Sequence, residues 1–176
     1  MNQFIVIAGF GGQGILFAGK IIAYAGLLDG NEVSWLPSYG PEMRGGTANC
    51  SITVSSEPVG SPLIVNPATL VAMNNPSLEK FVDAVVPNGM IIIDNSLIES
   101  KITRTDVKVI SIPATSLAIE NGLKGFANLI ILGKLFKESP FSTYESLEAA
   151  IKKSIPAKKA DLLEKNMQAI KIGMNY

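Results

Sequence analysis

The residues whose types and spacing best suit chemistry lie near the N-terminus. Gly9-Phe10-Gly11-Gly12-Gln13-Gly14 fits the pattern G-x-G-x-x-G, between the apolar run Phe4-Ile5-Val6-Ile7-Ala8 and a long apolar segment that begins at Ile15. Glycines at this spacing permit a tight strand-to-helix turn and let a ligand approach the backbone. They also leave the first N–H groups of a helix free to meet an anion. Three readings stay open: a dinucleotide site, a site for a phosphate-bearing ligand or a partner segment, and glycines needed only for close packing. A NAD-type site wants an acidic residue at the end of the second strand, to hold the ribose hydroxyls. Here that strand ends Trp35-Leu36-Pro37, Glu32 stands at its start and Glu42 falls in a loop, which counts against the dinucleotide.

A second stretch, Ser38-Tyr39-Gly40-Pro41-Glu42-Met43-Arg44-Gly45-Gly46-Thr47, concentrates aromatic, charged and glycine residues in a connection between two strands. Such a loop suits a binding surface. Pro41 restricts the free chain, Gly45 and Gly46 admit a close neighbour, and the planar fork of Arg44 can meet a carboxylate or phosphate with two bonds. The alternative is a rigid turn in which Glu42 and Arg44 pair with each other or with solvent. We expect Tyr39 to Gly46 to face a partner or a shared active-site cavity, with Arg44 at its energetic centre.

What is missing narrows the chemistry further. The chain contains no histidine, so the usual general base and the usual transition-metal ligand are absent. Its single cysteine, Cys50, cannot supply the thiolate set of an iron–sulfur cluster, nor a disulfide framework. On a half-buried strand Cys50 reads as a small core residue, and Trp35 as a core or interface aromatic. Asp94 ends a buried strand where a ligand could be met. The turn through Asn95 and Ser96 is the favoured use of its side chain. Fifteen basic residues balance fifteen acidic ones, which leaves no electrostatic footprint for nucleic acid or an anionic membrane. No apolar run approaches the ~20 residues that span a bilayer, and the start does not read as a signal peptide, so a cytoplasmic protein is expected.

The elements that must position these residues follow from periodicity. Strands are predicted at Phe4–Ala8, at Glu32–Leu36 with Pro37 stopping it, at Cys50–Val54 with one face buried, and at Leu70–Met73, Met90–Asp94 and Val107–Ile112. Helices are predicted at Ile15–Leu28, from Asn75-Pro76-Ser77 to about Val86, and from Ala114 onward with interruptions at Gly122 and Gly125. Ala127–Phe136 is a further apolar helix. Ser142-Thr143-Tyr144-Glu145 fits a capping box, with Ser142 as the cap and a helix to Ser154, and a last helix is predicted over Lys158–Met174. Ile98–Asp106 is read as a surface connection. The alternation implies one α/β domain over residues 1–176, Rossmann-like, with a largely parallel sheet flanked by helices and a helical C-terminal segment.

Taken together, Gly9 to Gly14 and Tyr39-Gly40-Pro41-Glu42-Met43-Arg44-Gly45-Gly46-Thr47-Ala48-Asn49-Cys50 resemble the gamma subunit of 2-oxoacid:ferredoxin oxidoreductases, of the 2-oxoglutarate or branched-chain type. Glu57-Pro58-Val59-Gly60-Ser61-Pro62 and Met73-Asn74 extend the resemblance over nearly the whole chain. The resemblance implies a complex that oxidatively decarboxylates a 2-oxoacid, with 2-oxoglutarate the first choice, forms an acyl-CoA and passes electrons to ferredoxin or flavodoxin. It implies alpha, beta and delta-type partner subunits that carry thiamine diphosphate, magnesium and the iron–sulfur clusters. It further implies that this chain holds none of these by itself, helps form the approach for coenzyme A at Gly9, Gly11, Gly12, Gln13 and Gly14, and is inactive alone. A stand-alone nucleotide-binding enzyme and a non-ligand-binding assembly subunit are the competing readings.

Overall fold

A computed structural model describes residues 2–38, 47–156 and 161–176. Six strands form one sheet in the order β2-β3-β1-β4-β5-β6. They are β1 (Asn2–Phe10), β2 (Glu32–Ser38), β3 (Thr47–Ser55), β4 (Thr69–Ala72), β5 (Met90–Asp94) and β6 (Lys108–Ile112). The helices are α1 (Ile15–Leu28), α2 (Asn75–Phe81), α3 (Ala114–Glu120), α4 (Ala127–Glu138), α5 (Tyr144–Ser154) and α6 (Asp161–Asn175). β1, β4, β5 and β6 pair in parallel, whereas β3 runs antiparallel to both β1 and β2. The sheet is thus largely parallel, with β3 the reversed strand.

The continuous apolar runs of β1, β4 and β5 are buried on both faces, as parallel strands require. On one face Ile5, Ile7, Ile52 and Ile92 pack with Ile21 and Ile22 of α1, Leu132 of α4 and Ile170 of α6 in the larger core. On the other, Val6, Leu70, Ile91 and Ile93 meet Leu78 of α2 and Val85.

Several elements depart from the predictions, each for a reason set far away in sequence. Pro37 does not stop β2. It pairs opposite Cys50 inside the strand, tolerated because β2 is an edge strand whose other side needs no ladder bond. In β3 both faces are buried, since Ser51, Thr53 and Ser55 are covered as well as Cys50, Ile52 and Val54. Helix α2 ends at Phe81 and tightens into a 3-10 turn at Val82–Ala84. The Arg104 guanidinium, held by Asp106, donates to the Val82 and Val85 carbonyls at 3.0 and 2.6 Å and so meets acceptors that a longer helix would have used. The connection 98–106 is therefore not purely surface, and Ile98 in it is buried. The cap of α5 is Thr143, one residue later than predicted. The Asp29 carboxylate accepts from Thr143 N–H, the Thr143 hydroxyl and the Ser146 hydroxyl, which ties the start of α5 to the turn after α1. The predicted start of the last helix at Lys158 lies outside the described residues; the helix is described from Asp161.

Candidate functional site: a cleft at the carboxyl ends of the parallel strands

The chain leaves β1 through α1 toward β2 and β3 on one side of the sheet, while β4, β5 and β6 follow on the other. The order therefore reverses between β1 and β4, which is where open α/β sheets place their ligand crevice. The glycine motif sits at that point. Gly9 and Phe10 are the last residues of β1, and Gly14 caps α1 with φ 74° and no side-chain cap.

The motif divides into residues that pack and residues that face open space. A Cβ on Gly9 would come within 2.6 Å of Gln13 Oε1 and 2.7 Å of Ile15 Cδ1, and one on Gly14 would overlap the Asn128 side-chain amide. Asn128 Nδ2 donates to the Gly14 carbonyl at 3.1 Å and so fastens the loop to α4. Gln13 is a brace: its Oε1 accepts from Phe10 N–H at 2.6 Å, and its Nε2 donates to the Met73 carbonyl at 3.1 Å, at the end of β4. Gly11 and Gly12 are exposed. A Cβ on Gly12 would meet nothing within 4 Å, yet the backbone holds φ +93°, a conformation that favours glycine. Close packing thus accounts for Gly9 and Gly14, whereas Gly12 is held to glycine by its backbone conformation alone and faces open space.

Gly12 opens onto a cleft of about 310 Å³ whose lining includes Gln13, Met73, Leu97, Thr115 and Lys124. Asp94, fully buried behind the cleft, holds Thr115 in its lining. Its oxygens accept from Ser96 N–H at 3.1 Å, from Thr115 N–H at 3.1 Å and from the Thr115 hydroxyl at 2.6 Å. The turn reading of Asp94 holds, with an added grip on α3. Lys124 lies between Gly122 and Gly125, whose φ angles of 68° and 93° form the bend between α3 and α4. In the sequence these glycines read as helix breaks, and nothing there marks the cation between them. A wider groove of about 590 Å³ runs between α3 and α6, but it has neither the glycine loop nor the strand ends.

Tyr39, Gly40, Pro41, Glu42, Arg44, Gly45 and Gly46 lie outside the described residues. Their flanks are described. Ser38 pairs with Asn49, and Thr47 pairs with Phe10, so the chain departs and returns at the same end of the sheet as the glycine loop.

The cleft offers a cation, backbone and apolar walls, and its Thr115 hydroxyl is already given to Asp94. Such equipment suits the holding of a ligand with an anionic and an apolar part. Cys50 is fully buried and its Sγ donates to the Ile15 carbonyl at 3.8 Å. Burial pushes its thiol up to about 12. Native chain at pH 8 should therefore resist iodoacetamide for hours and react at once when unfolded, read by intact mass; rapid native labelling would remove Cys50 from the core. Trp35 packs, half-buried, against the larger core. No group of three or more His, Cys, Asp or Glu able to hold a metal occurs among the described residues. No helix among them is long and apolar enough to cross a membrane.

Comparison with known proteins agrees with this architecture. The chain is 36% identical over 173 residues to the ketoisovalerate oxidoreductase subunit VorA of Methanothermobacter thermautotrophicus, matching 98% of this chain and 36% of that one. It thus spans about a third of that relative's length. It is 35% identical over 176 residues to the 2-oxoglutarate synthase subunit KorC of Methanocaldococcus jannaschii, covering 98% of this chain and 92% of that subunit. Among solved structures, the 2-oxoglutarate:ferredoxin oxidoreductase of Magnetococcus marinus, determined with 2-oxoglutarate, coenzyme A and succinyl-CoA, shares the fold. The TM-score is 0.90 at 24% identity, over 99% of this chain and 30% of that one. The pyruvate ferredoxin/flavodoxin oxidoreductase family model matches residues 4–176, and the chain belongs to that family.

Proposed function

We propose that this chain is the gamma subunit of a 2-oxoacid:ferredoxin oxidoreductase, and that its glycine-loop cleft receives a phosphate-bearing part of coenzyme A. The observation that carries the reading is Gly12: an open, left-handed residue at the start of α1, beside Lys124 in one cleft, with no packing demand of its own. An anion there would meet backbone N–H groups and a cation together. Thiamine diphosphate, magnesium and the iron–sulfur clusters belong to alpha, beta and delta-type partners in this reading. A chain with one thiol, and that one buried, cannot supply the thiolate set of an iron–sulfur cluster. Relatives named for 2-oxoglutarate and for ketoisovalerate make these the two substrates to test, 2-oxoglutarate first.

The stand-alone dinucleotide enzyme is disfavoured by topology. β3 lies between β1 and β2, so the end of β2 is two strands away from the glycine loop, and it carries no acidic residue. The pure assembly subunit finds support in the packing of Gly9 and Gly14, and Lys124 decides between it and the coenzyme A reading. In the reconstituted complex, Lys124→Ala should raise the KM for coenzyme A about tenfold and leave the KM for the 2-oxoacid unchanged. Unchanged coenzyme A kinetics would move coenzyme A out of this cleft.

A further inference from the structure

A second cleft, of about 290 Å³, adjoins the one at Gly12. Gly125 lines both, and a Cβ there would touch nothing within 4 Å, so the two spaces meet over an open backbone. Four helices supply the walls of the second cleft: Phe17 from α1, Phe126 and Asn128 from the start of α4, Ser154 from the end of α5 and Asn166 from α6. Two of these side chains are buried carboxamides, Asn128 at 5% and Asn166 at 3% exposure. Asn128 Nδ2 donates to the Gly14 carbonyl at 3.1 Å, and Asn166 Nδ2 donates to the Leu162 carbonyl. A carbonyl oxygen only accepts, so each amide has its nitrogen turned to that partner and its Oδ1 turned away. Neither Oδ1 accepts a bond among the described residues, and the buried Ser154 hydroxyl has no partner among them either. Buried polar atoms are normally paired. Here two acceptors and a hydroxyl stand unpaired around one mostly apolar space.

The chemistry of the walls defines what would fill it. The described lining carries no charged residue, so the phosphate-binding equipment stays in the first cleft with Lys124. Two free carboxamide oxygens call for N–H donors, and two phenyl rings suit a flat, apolar ring system. The volume is at the small end of small-molecule sites, enough for one ring system and not for a whole nucleotide. An adenine base meets these terms, since its exocyclic amino group donates where hypoxanthine or guanine carries an accepting oxygen. The reading of the first cleft agrees. Coenzyme A has an adenine at one end and a thiol at the other, and the thiol must reach a thiamine centre on another subunit. The end held among this chain's own helices is then the one that does not react.

We propose that the cleft between Phe17, Phe126, Asn128 and Asn166 is an adenine pocket, with Asn166 Oδ1 accepting from the base's amino group while the adjoining phosphates lie at Gly12 and Lys124. The inference rests on the coenzyme A reading and adds to it which end of the molecule this chain holds. The test is calorimetric titration of the reconstituted complex, without 2-oxoacid, with coenzyme A and with its deaminated form, in which hypoxanthine replaces adenine. Wild type should bind the deaminated form about tenfold more weakly, because an oxygen then faces an oxygen. Asn166→Leu keeps the side chain's volume and removes the acceptor. It should weaken coenzyme A about tenfold and bring the ratio of the two dissociation constants to about one. Asn166 is the residue to change because Asn128 also fastens the glycine loop. Equal binding of the two forms by wild type would overturn the proposal without recourse to any variant. A wild-type preference that survives in Asn166→Leu would overturn it as well, by placing the base elsewhere. In either case, weakened coenzyme A binding in Lys124→Ala would leave the reading of the first cleft intact. Unchanged binding in Lys124→Ala would overturn that reading, and this proposal with it.

Discussion

Gly173→Ala should lower the unfolding free energy by about 3 kcal/mol, the upper end of what overpacking costs, and Gly133→Ala by a similar amount. Helices α4 and α6 touch backbone to backbone at this point. A Cβ on Gly133 would overlap the Ile170 carbonyl oxygen, and a Cβ on Gly173 would overlap the Ile130 carbonyl oxygen. Neither obstacle is a side chain that can rotate aside, so the helices must separate and open the core around Ile130, Leu132 and Ile170. Intrinsic propensity points the other way, since alanine in a helix interior is favoured over glycine by roughly 0.5–1 kcal/mol. The sign of the change therefore discriminates. A urea titration should show a lower midpoint with an unchanged slope, and the double variant should lose less than the sum, because both methyls push apart the same pair of helices. A raised midpoint in either single variant would mean that the two backbones are not in contact.

Asp94→Ala should rank beside these, at about 3 kcal/mol, through a different mechanism. The side chain is fully buried and accepts from two backbone N–H groups and one hydroxyl, at Ser96 and Thr115. Its removal leaves those donors without partners at the junction of β5 and α3, and each stranded buried donor costs roughly 1–3 kcal/mol. Thr115→Val removes only the hydroxyl bond and should cost about 1 kcal/mol. Denaturant midpoints should follow that order, with wild type above Thr115→Val and Thr115→Val above Asp94→Ala. Equal losses in the two variants would show that the backbone bonds contribute nothing.

How much of this was legible beforehand depended on whether a feature was decided locally. The limits of α1 and β5 were readable because their apolar runs and flanking turns settle them without outside help. The position of the glycine motif was readable for the same reason. Its division of labour was not: whether Gly9, Gly12 or Gly14 packs depends on Asn128, Ile15 and empty space, which no spacing rule contains. The continuation of β2 through Pro37 depends on its being an edge strand, and the cap at Thr143 depends on Asp29, more than a hundred residues earlier. Lys124 and Thr115 escaped because nothing in their own neighbourhoods marks them. They reach the cleft through the bend at Gly122 and Gly125 and through the grip of Asp94.

In the function proposed above, this chain completes a 2-oxoacid-oxidising complex and does no oxidation alone. Reconstitution tests it most directly: the pure chain, the thiamine- and cluster-bearing subunits, and their mixture are each assayed with 2-oxoglutarate, coenzyme A and a viologen dye. The chain alone should give no dye reduction, and the mixture should reduce dye in a coenzyme A-dependent manner at a rate well above the partner subunits by themselves. Turnover by the isolated chain, or a mixture no faster than the partners alone with either 2-oxoglutarate or ketoisovalerate, would contradict the account.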